Sequence, residues 1–240
     1  MVTGVLPRVR TGWSLYFGLS LLFVLIVAVG FWPSYFGALT SGGVDRPAII
    51  HFHAVIYVGW LMLFVAQTAL AATGRLRQHM KLGNFLIGYG VVVIAAGLLA
   101  AFGMFWIRVR AGAVAEAQSA LISPLLDMIV FTPFFAAAVY FRRVPDVHKR
   151  LMIVSTTALL IAAVGRMRFL GGDPWLVYVV WTSPILIAMV RDFVSRRLLH
   201  PIYVAGLIVI ALESPLMRRL IRETDVWLGI SGRLAGALAA

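Results

Sequence analysis

Leu121-Ile-Ser-Pro-Leu-Leu-Asp127-Met-Ile-Val-Phe-Thr-Pro-Phe-Phe-Ala-Ala-Ala-Val139 is an apolar run with one carboxylate inside it. About 20 mostly apolar residues are what a helix needs to cross a hydrocarbon core of about 30 Å, so the run reads as a membrane span. A carboxylate at that depth is expensive in lipid and is expected to face a bundle interior or a polar cavity. Asp127 is therefore the first place to look for function.

The rest of the chain agrees with this reading. Its 240 residues are 62% hydrophobic and 12% charged, with a mean hydropathy of +0.96. In lipid every backbone polar group must be paired, which leaves helices or closed barrels. Barrel strands would be alternating segments of about 10 residues, and the sequence shows long continuous runs instead. The expected class is all-α, a polytopic transmembrane helical bundle forming a single membrane domain over residues 1–240. With no cysteine there is no disulfide framework, thiolate metal site or cysteine nucleophile. The net charge of +12 lies in short segments between apolar runs. The expected partner of that charge is the lipid bilayer and not nucleic acid. Arg8 and Arg10 precede the run Trp13–Trp32, which lacks a small-x-small cleavage pattern and reads as a retained first helix.

About seven spans follow: 13–32, 48–73, 82–106, 120–141, 150–165, 175–190 and 201–216. With a cytoplasmic N-terminus the inner segments hold Arg8, Arg10, Arg75, Arg77, Lys81, Arg142, Arg143, Lys149, Arg150, Arg191, Arg196 and Arg197, twelve in all. The outer loops hold five, Arg46, Arg108, Arg110, Arg166 and Arg168, which favours that orientation. Arg218, Arg219, Arg222 and Arg233 in the tail bring the outer side to nine. Residues 216–240 read as an interfacial C-terminal helix, since Leu216, Leu220 and Trp227 separate from Arg218, Arg219 and Arg222. A short eighth helix from Val226–Ala240 is the alternative.

The histidines sort into two layers on this topology. His79, His148 and His200 precede the third, fifth and seventh spans on the inner side, while His51 and His53 begin the second span on the outer side. His53, Tyr57, Trp60, Phe64 and Gln67 recur at helical spacing and share one face. His51 points elsewhere and reads as an interfacial residue. Asp127, seven residues into its span and thus about 10 Å deep, matches His53 in depth. The two are expected to face one polar cavity with Tyr57, and with Gln67 deeper along the same wall. Glu213 could join them from the outer end of the seventh span.

Convergence of His79, His148 and His200 would support two chemistries. Three neutral imidazoles can bind zinc, copper or iron with an exchangeable fourth position. Alternatively, two histidines on separate helices can ligate haem iron axially, with neighbouring arginines pairing with the propionates. No His-Glu-x-x-His spacing occurs. Glycoside hydrolysis wants two opposed carboxyl groups, and Asp127 has no second deeply buried acid near it in sequence. Ser123, Ser155, Thr156 and Thr157 read as helix-packing residues, and no phosphate-binding glycine loop is present.

His53-Ala-Val-Ile-Tyr-Val-Gly-Trp60, Gln67, Arg75-Leu-Arg-Gln-His79-Met-Lys-Leu-Gly83, His148-Lys-Arg-Leu-Met152, Arg166 and His200-Pro201 together resemble an uncharacterised family of bacterial multi-pass membrane proteins. The likeness covers most of the region from His51 to about Gly206 and implies no established activity. It places the chain in the bacterial inner (cytoplasmic) membrane. A looser resemblance is to cytochrome b561-type bundles. That resemblance implies haem b, with His79 and His148 as inner-side partners and His53 at a second haem for which the fourth span offers no histidine.

Three function classes remain open in the sequence. A metal-binding or heme oxidoreductase of electron transport, centred on its histidines, leads. A proton-coupled transporter using His53, Gln67 and Asp127 is the second. A structural subunit bound to other membrane protein subunits is the third.

Overall fold

The computed structural model describes residues 11–239. In chain order these form α1 (Thr11–Phe31), a π-helical turn (Trp32–Phe36), α2 (Gly37–Thr40), α3 (Ala48–Ala72), α4 (Leu76–Arg110) and α5 (Val114–Tyr140). Then come α6 (Pro145–Ala158), α7 (Ile161–Val164), a 3-10 turn (Arg168–Leu170), α8 (Pro174–Arg196), α9 (Pro201–Leu212), α10 (Pro215–Arg222) and α11 (Asp225–Ala239). No strand occurs among the described residues, and the chain is an all-α polytopic bundle.

Among the described residues, six stretches are long and apolar enough to cross a membrane: Ser14–Thr40, Ala48–Ala72, Leu76–Arg110, Val114–Tyr140, Pro145–Val164 and Pro174–Arg196. The seventh expected span, 201–216, is shorter than its sequence suggested. Helix α9 has 12 residues, about 18 Å at 1.5 Å per residue, because Ser214-Pro215 restarts the chain as α10. Leu25, Val55, Val91, Ile129, Val194 and Ile208 point outward from the bundle, as lipid-facing side chains should.

Successive long helices run antiparallel. The turns 73–75, 141–144 and 197–200 lie at the end where α1 begins, here the near face, and the turns 41–47, 111–113 and 165–173 lie at the far face. Proline opens α6, α8, α9 and α10 at Pro145, Pro174, Pro201 and Pro215, positions whose missing N–H a helix does not need. Asp173 caps α8 by accepting from the N–H of Trp175 and Leu176 at 2.8 and 3.1 Å. Gly74 and Gly112 follow α3 and α4 at φ of 75° and 78°, where a side chain would be strained.

Helix α6 is the axis of the bundle. From Ile153 to Ala158 its side chains are almost fully enclosed by α5, α8 and α9. Trp181 of α8 donates to the Thr157 carbonyl at 2.8 Å, close to where α6 gives way to α7. Arg150, fully buried, donates from Nε and Nη2 to Asp192 Oδ2 at 2.8 and 2.5 Å, locking α6 to α8. Asp146 joins this lock through Lys149, Arg150 and Arg196. Helix α1 closes on α7 at Gly30, where any Cβ would overlap the Ala163 carbonyl.

The tail differs from the single interfacial helix expected for 216–240. It breaks at Glu223–Thr224 into α10 and α11. Helix α10 is rolled with Leu216 and Leu220 outward and Arg218 buried against the bundle. Helix α4 has 35 residues, about 52 Å of helix, more than a hydrocarbon core of about 30 Å requires. Helix α11 packs along the far ends of α4 and α5, with Trp227 Nε1 donating to the Gln118 carbonyl at 2.9 Å.

Candidate functional site: two cavities meeting at Trp60

The bundle contains two large cavities, one toward each face. The near cavity, about 600 Å³, is lined by His79, His148, Gln67, Phe64, Arg142 and Lys149 among others. The far cavity, about 710 Å³, is lined by His53, Tyr57, Asp127, Arg166, Arg218 and Arg222 among others. Trp60 lines both, 2% exposed, with its indole N–H lacking a hydrogen-bond partner.

At the near cavity His79 reaches in from α4 and His148 from α6. His79 Nδ1 lies 3.2 Å from the Gln67 carbonyl and His148 Nδ1 lies 2.8 Å from the Ala138 carbonyl. A carbonyl oxygen can only accept, so each Nδ1 carries the proton and each neutral ring keeps a lone pair on Nε2. Backbone hydrogen bonds of this kind fix tautomer and orientation in metal-ligating histidines. Trp60, Phe64 and Phe135 provide aromatic wall, Arg142, Arg143 and Lys149 positive charge near the face, and Gln67 Oε1 is buried without a partner.

His200 does not join the other two. Its Nδ1 accepts from the Ile202 N–H at 3.3 Å, capping α9, so its ring is engaged in the opposite sense and lies outside the cavity. Burial, with Arg150 close by, pushes its pKa below the ordinary histidine value. The three-histidine site expected for zinc, copper or iron thus does not form, and no group of three or more His, Cys, Asp or Glu suited to a metal occurs among the described residues.

At the far cavity His53 stacks on Tyr57, ring centroids 4.0 Å apart, and Tyr57 donates to the Met128 sulfur at 3.6 Å. The Ala96 carbonyl approaches the His53 ring from α4, while His53 Nδ1 is buried with no hydrogen-bond partner. His53 and Asp127 line the same cavity without bonding to one another. Asp127 Oδ1 instead accepts from Arg218 Nη2 at 2.6 Å, and the same nitrogen donates to Glu213 Oε2 at 3.0 Å. Arg218 also donates to the backbone carbonyls of Glu213 and Ser123 at 2.6 and 2.9 Å. Two carboxylates share this one guanidinium, and Glu213 Oε1 is left unpartnered.

Gln67 belongs to the near cavity, not to the wall below His53 and Asp127. It shares a helical face with His53 but sits 14 residues along it, about 21 Å. His51 accepts or donates to the Tyr35 hydroxyl at 2.8 Å, and Tyr35 itself lines the far cavity. Arg218, Trp60 as a shared wall and the Arg150–Asp192 pair are absent from the sequence reading. For Arg218 the signal was the demand itself: an acid within a span requires a cation.

Comparison with protein-family models, curated proteins and solved structures finds no match to this chain.

Proposed function

We propose that this is a membrane redox protein that holds one haem b in the near cavity between His79 and His148. The observation that carries the reading is the pair of imidazoles, from α4 and α6, lining one cavity with both Nδ1 atoms on backbone carbonyls and both Nε2 lone pairs uncommitted. A volume of about 600 Å³ is of the size that cofactor sites have, roughly 300–1,000 Å³. Bound there, the group would supply a one-electron ferric–ferrous couple. His79 and His148 would hold the iron, Trp60, Phe64 and Phe135 would exclude water, and Arg142, Arg143 and Lys149 would pair with the propionates. The single pair of ligands argues for one haem, since His53 has no histidine opposite it. The near face would be cytoplasmic, because the short near-face segments carry most of the lysines and arginines outside the tail; a bacterial inner membrane is what the resemblance implies.

The test is an absorption spectrum of gently purified protein before and after dithionite. A reduced b-type band at one haem per chain is expected, lost in H79A and H148A and retained in H200N. Fresh membranes and purified protein both lacking stoichiometric haem would overturn the reading.

The second reading, a proton-coupled transporter, draws on the far cavity. There two buried acidic side chains share one guanidinium inside the bundle, the kind of group a proton path uses. Proton-coupled flux in liposomes, lost in D127N and present in protein free of haem, would select it.

A further inference from the structure

The far cavity contains more positive charge than its carboxylates balance. Arg218 is paired with Asp127 and Glu213, Arg108 with Glu116 at 3.3 Å, and Arg219 with Glu223 at 3.3 Å. Arg166 and Arg222 line the same cavity, and neither forms an ion pair among the described residues. Arg222 Nη1 reaches only the Ser119 hydroxyl, at 3.5 Å. Arg166 donates to the Ala162 carbonyl and lies over the Phe31 ring at 4.7 Å. Arg46 stands near enough to add like-charge repulsion to Arg166, and the charge of Arg166 is felt at His53.

Guanidinium groups that line one partly enclosed space without counter-ions favour an anion. The buried Nδ1 of His53, lacking any partner, is a second vacancy in the same cavity. Most of the remaining wall is apolar, from Val27, Phe31, Met104, Phe105, Leu121 and Leu160. A small hydrated ion would leave that wall uncovered, whereas a wholly apolar molecule would leave the arginines and His53 unanswered.

We propose that the far cavity binds an amphiphilic anion, its carboxylate or phosphate head between Arg166 and His53 and its apolar body along the wall that ends at Trp60. Arg166 is the positioning charge, the His53 ring flanks the head with its proton turned toward the Ala96 carbonyl, and Arg222 adds attraction from elsewhere on the cavity lining. This site is separate from the haem reading, which concerns the other cavity and shares with it only the Trp60 wall.

The position of Trp60 supplies the assay. Dibromostearate, whose bromines quench tryptophan fluorescence on contact, is titrated into detergent-solubilised full-length protein, with its methyl ester as the neutral control. Saturable quenching is expected, the ester binding about tenfold or more weakly, as loss of one charged contact implies. The W60F variant should lose the saturable component. R166Q should weaken the acid about tenfold and leave the ester unchanged, while R168Q, at an arginine outside the cavity, should behave as wild type. In nanodiscs, competition by phosphatidylglycerol and not phosphatidylcholine would identify the bound head as that of a membrane lipid, and competition by neither would identify it as a free carboxylate. Equal binding of acid and ester, or equal effects of R166Q and R168Q in variants that elute as folded protein, would overturn the proposal.

Discussion

Replacing Arg218 by methionine tests the far-face ion cluster most directly. The arginine side chain is 8% exposed and its partners Asp127 and Glu213 are 14% and 3% exposed, so none is screened as a surface pair would be. R218M removes the one cation and four hydrogen bonds, two to carboxylates and two to backbone carbonyls. Stranding buried charge in this way costs about 3–5 kcal/mol. In a D127N/E213Q background no carboxylate is stranded and the buried guanidinium is itself the unpaired charge, so loss of its hydrogen bonds is offset by removal of that charge and the same substitution should cost about 1 kcal/mol or less. The difference between the two backgrounds, about 2 kcal/mol or more, is the coupling of the cluster. Equilibrium unfolding by SDS titration, followed by circular dichroism in mixed micelles, measures all four proteins. If R218M costs less than about 1 kcal/mol in the wild-type background, the value of an exposed pair, the cluster is not buried as described.

Two further outcomes follow from local geometry. His200 caps α9 in its neutral form and its folded pKa is depressed by burial; its stabilising effect is therefore present above the unfolded value of about 6.5 and lost as pH falls through the lower folded value. Thermal unfolding of wild type and H200N between pH 8 and 5 should show a loss in the wild type that is smaller in H200N, since asparagine caps without titrating; parallel curves would refute it. G30V forces Cβ and more into the Ala163 carbonyl and should destabilise by about 1–3 kcal/mol, read by the same SDS titration, whereas G18V, with open space around it, should stay within about 1 kcal/mol of wild type.

Fold class was legible because run length reports it directly; six of the seven expected runs became helices of crossing length among the described residues, and the seventh fell short. The second-span face was legible too, but a helical period gives direction and not depth, which is why His53 and Gln67 ended in different cavities. Common depth likewise brought His79 and His148 together but misjudged His200. The adjoining Pro201 was the available signal, since a polar residue before a proline that opens a helix is a cap position. The roll of α10 could not be read from charge separation alone. An amphipathic helix on a membrane protein can turn its apolar side to lipid and its basic side inward, and the buried acids Asp127 and Glu213 decide in favour of that arrangement.

Trp60 closes two hollows that approach it from opposite faces. Where they meet, the Trp60 indole belongs to both linings and is set edge-on against Phe131 and Phe135. The size of that side chain is thus constrained by more than packing. A smaller residue there is expected to widen both hollows at their common wall, and proton leak measured in liposomes holding such a variant would report whether they join.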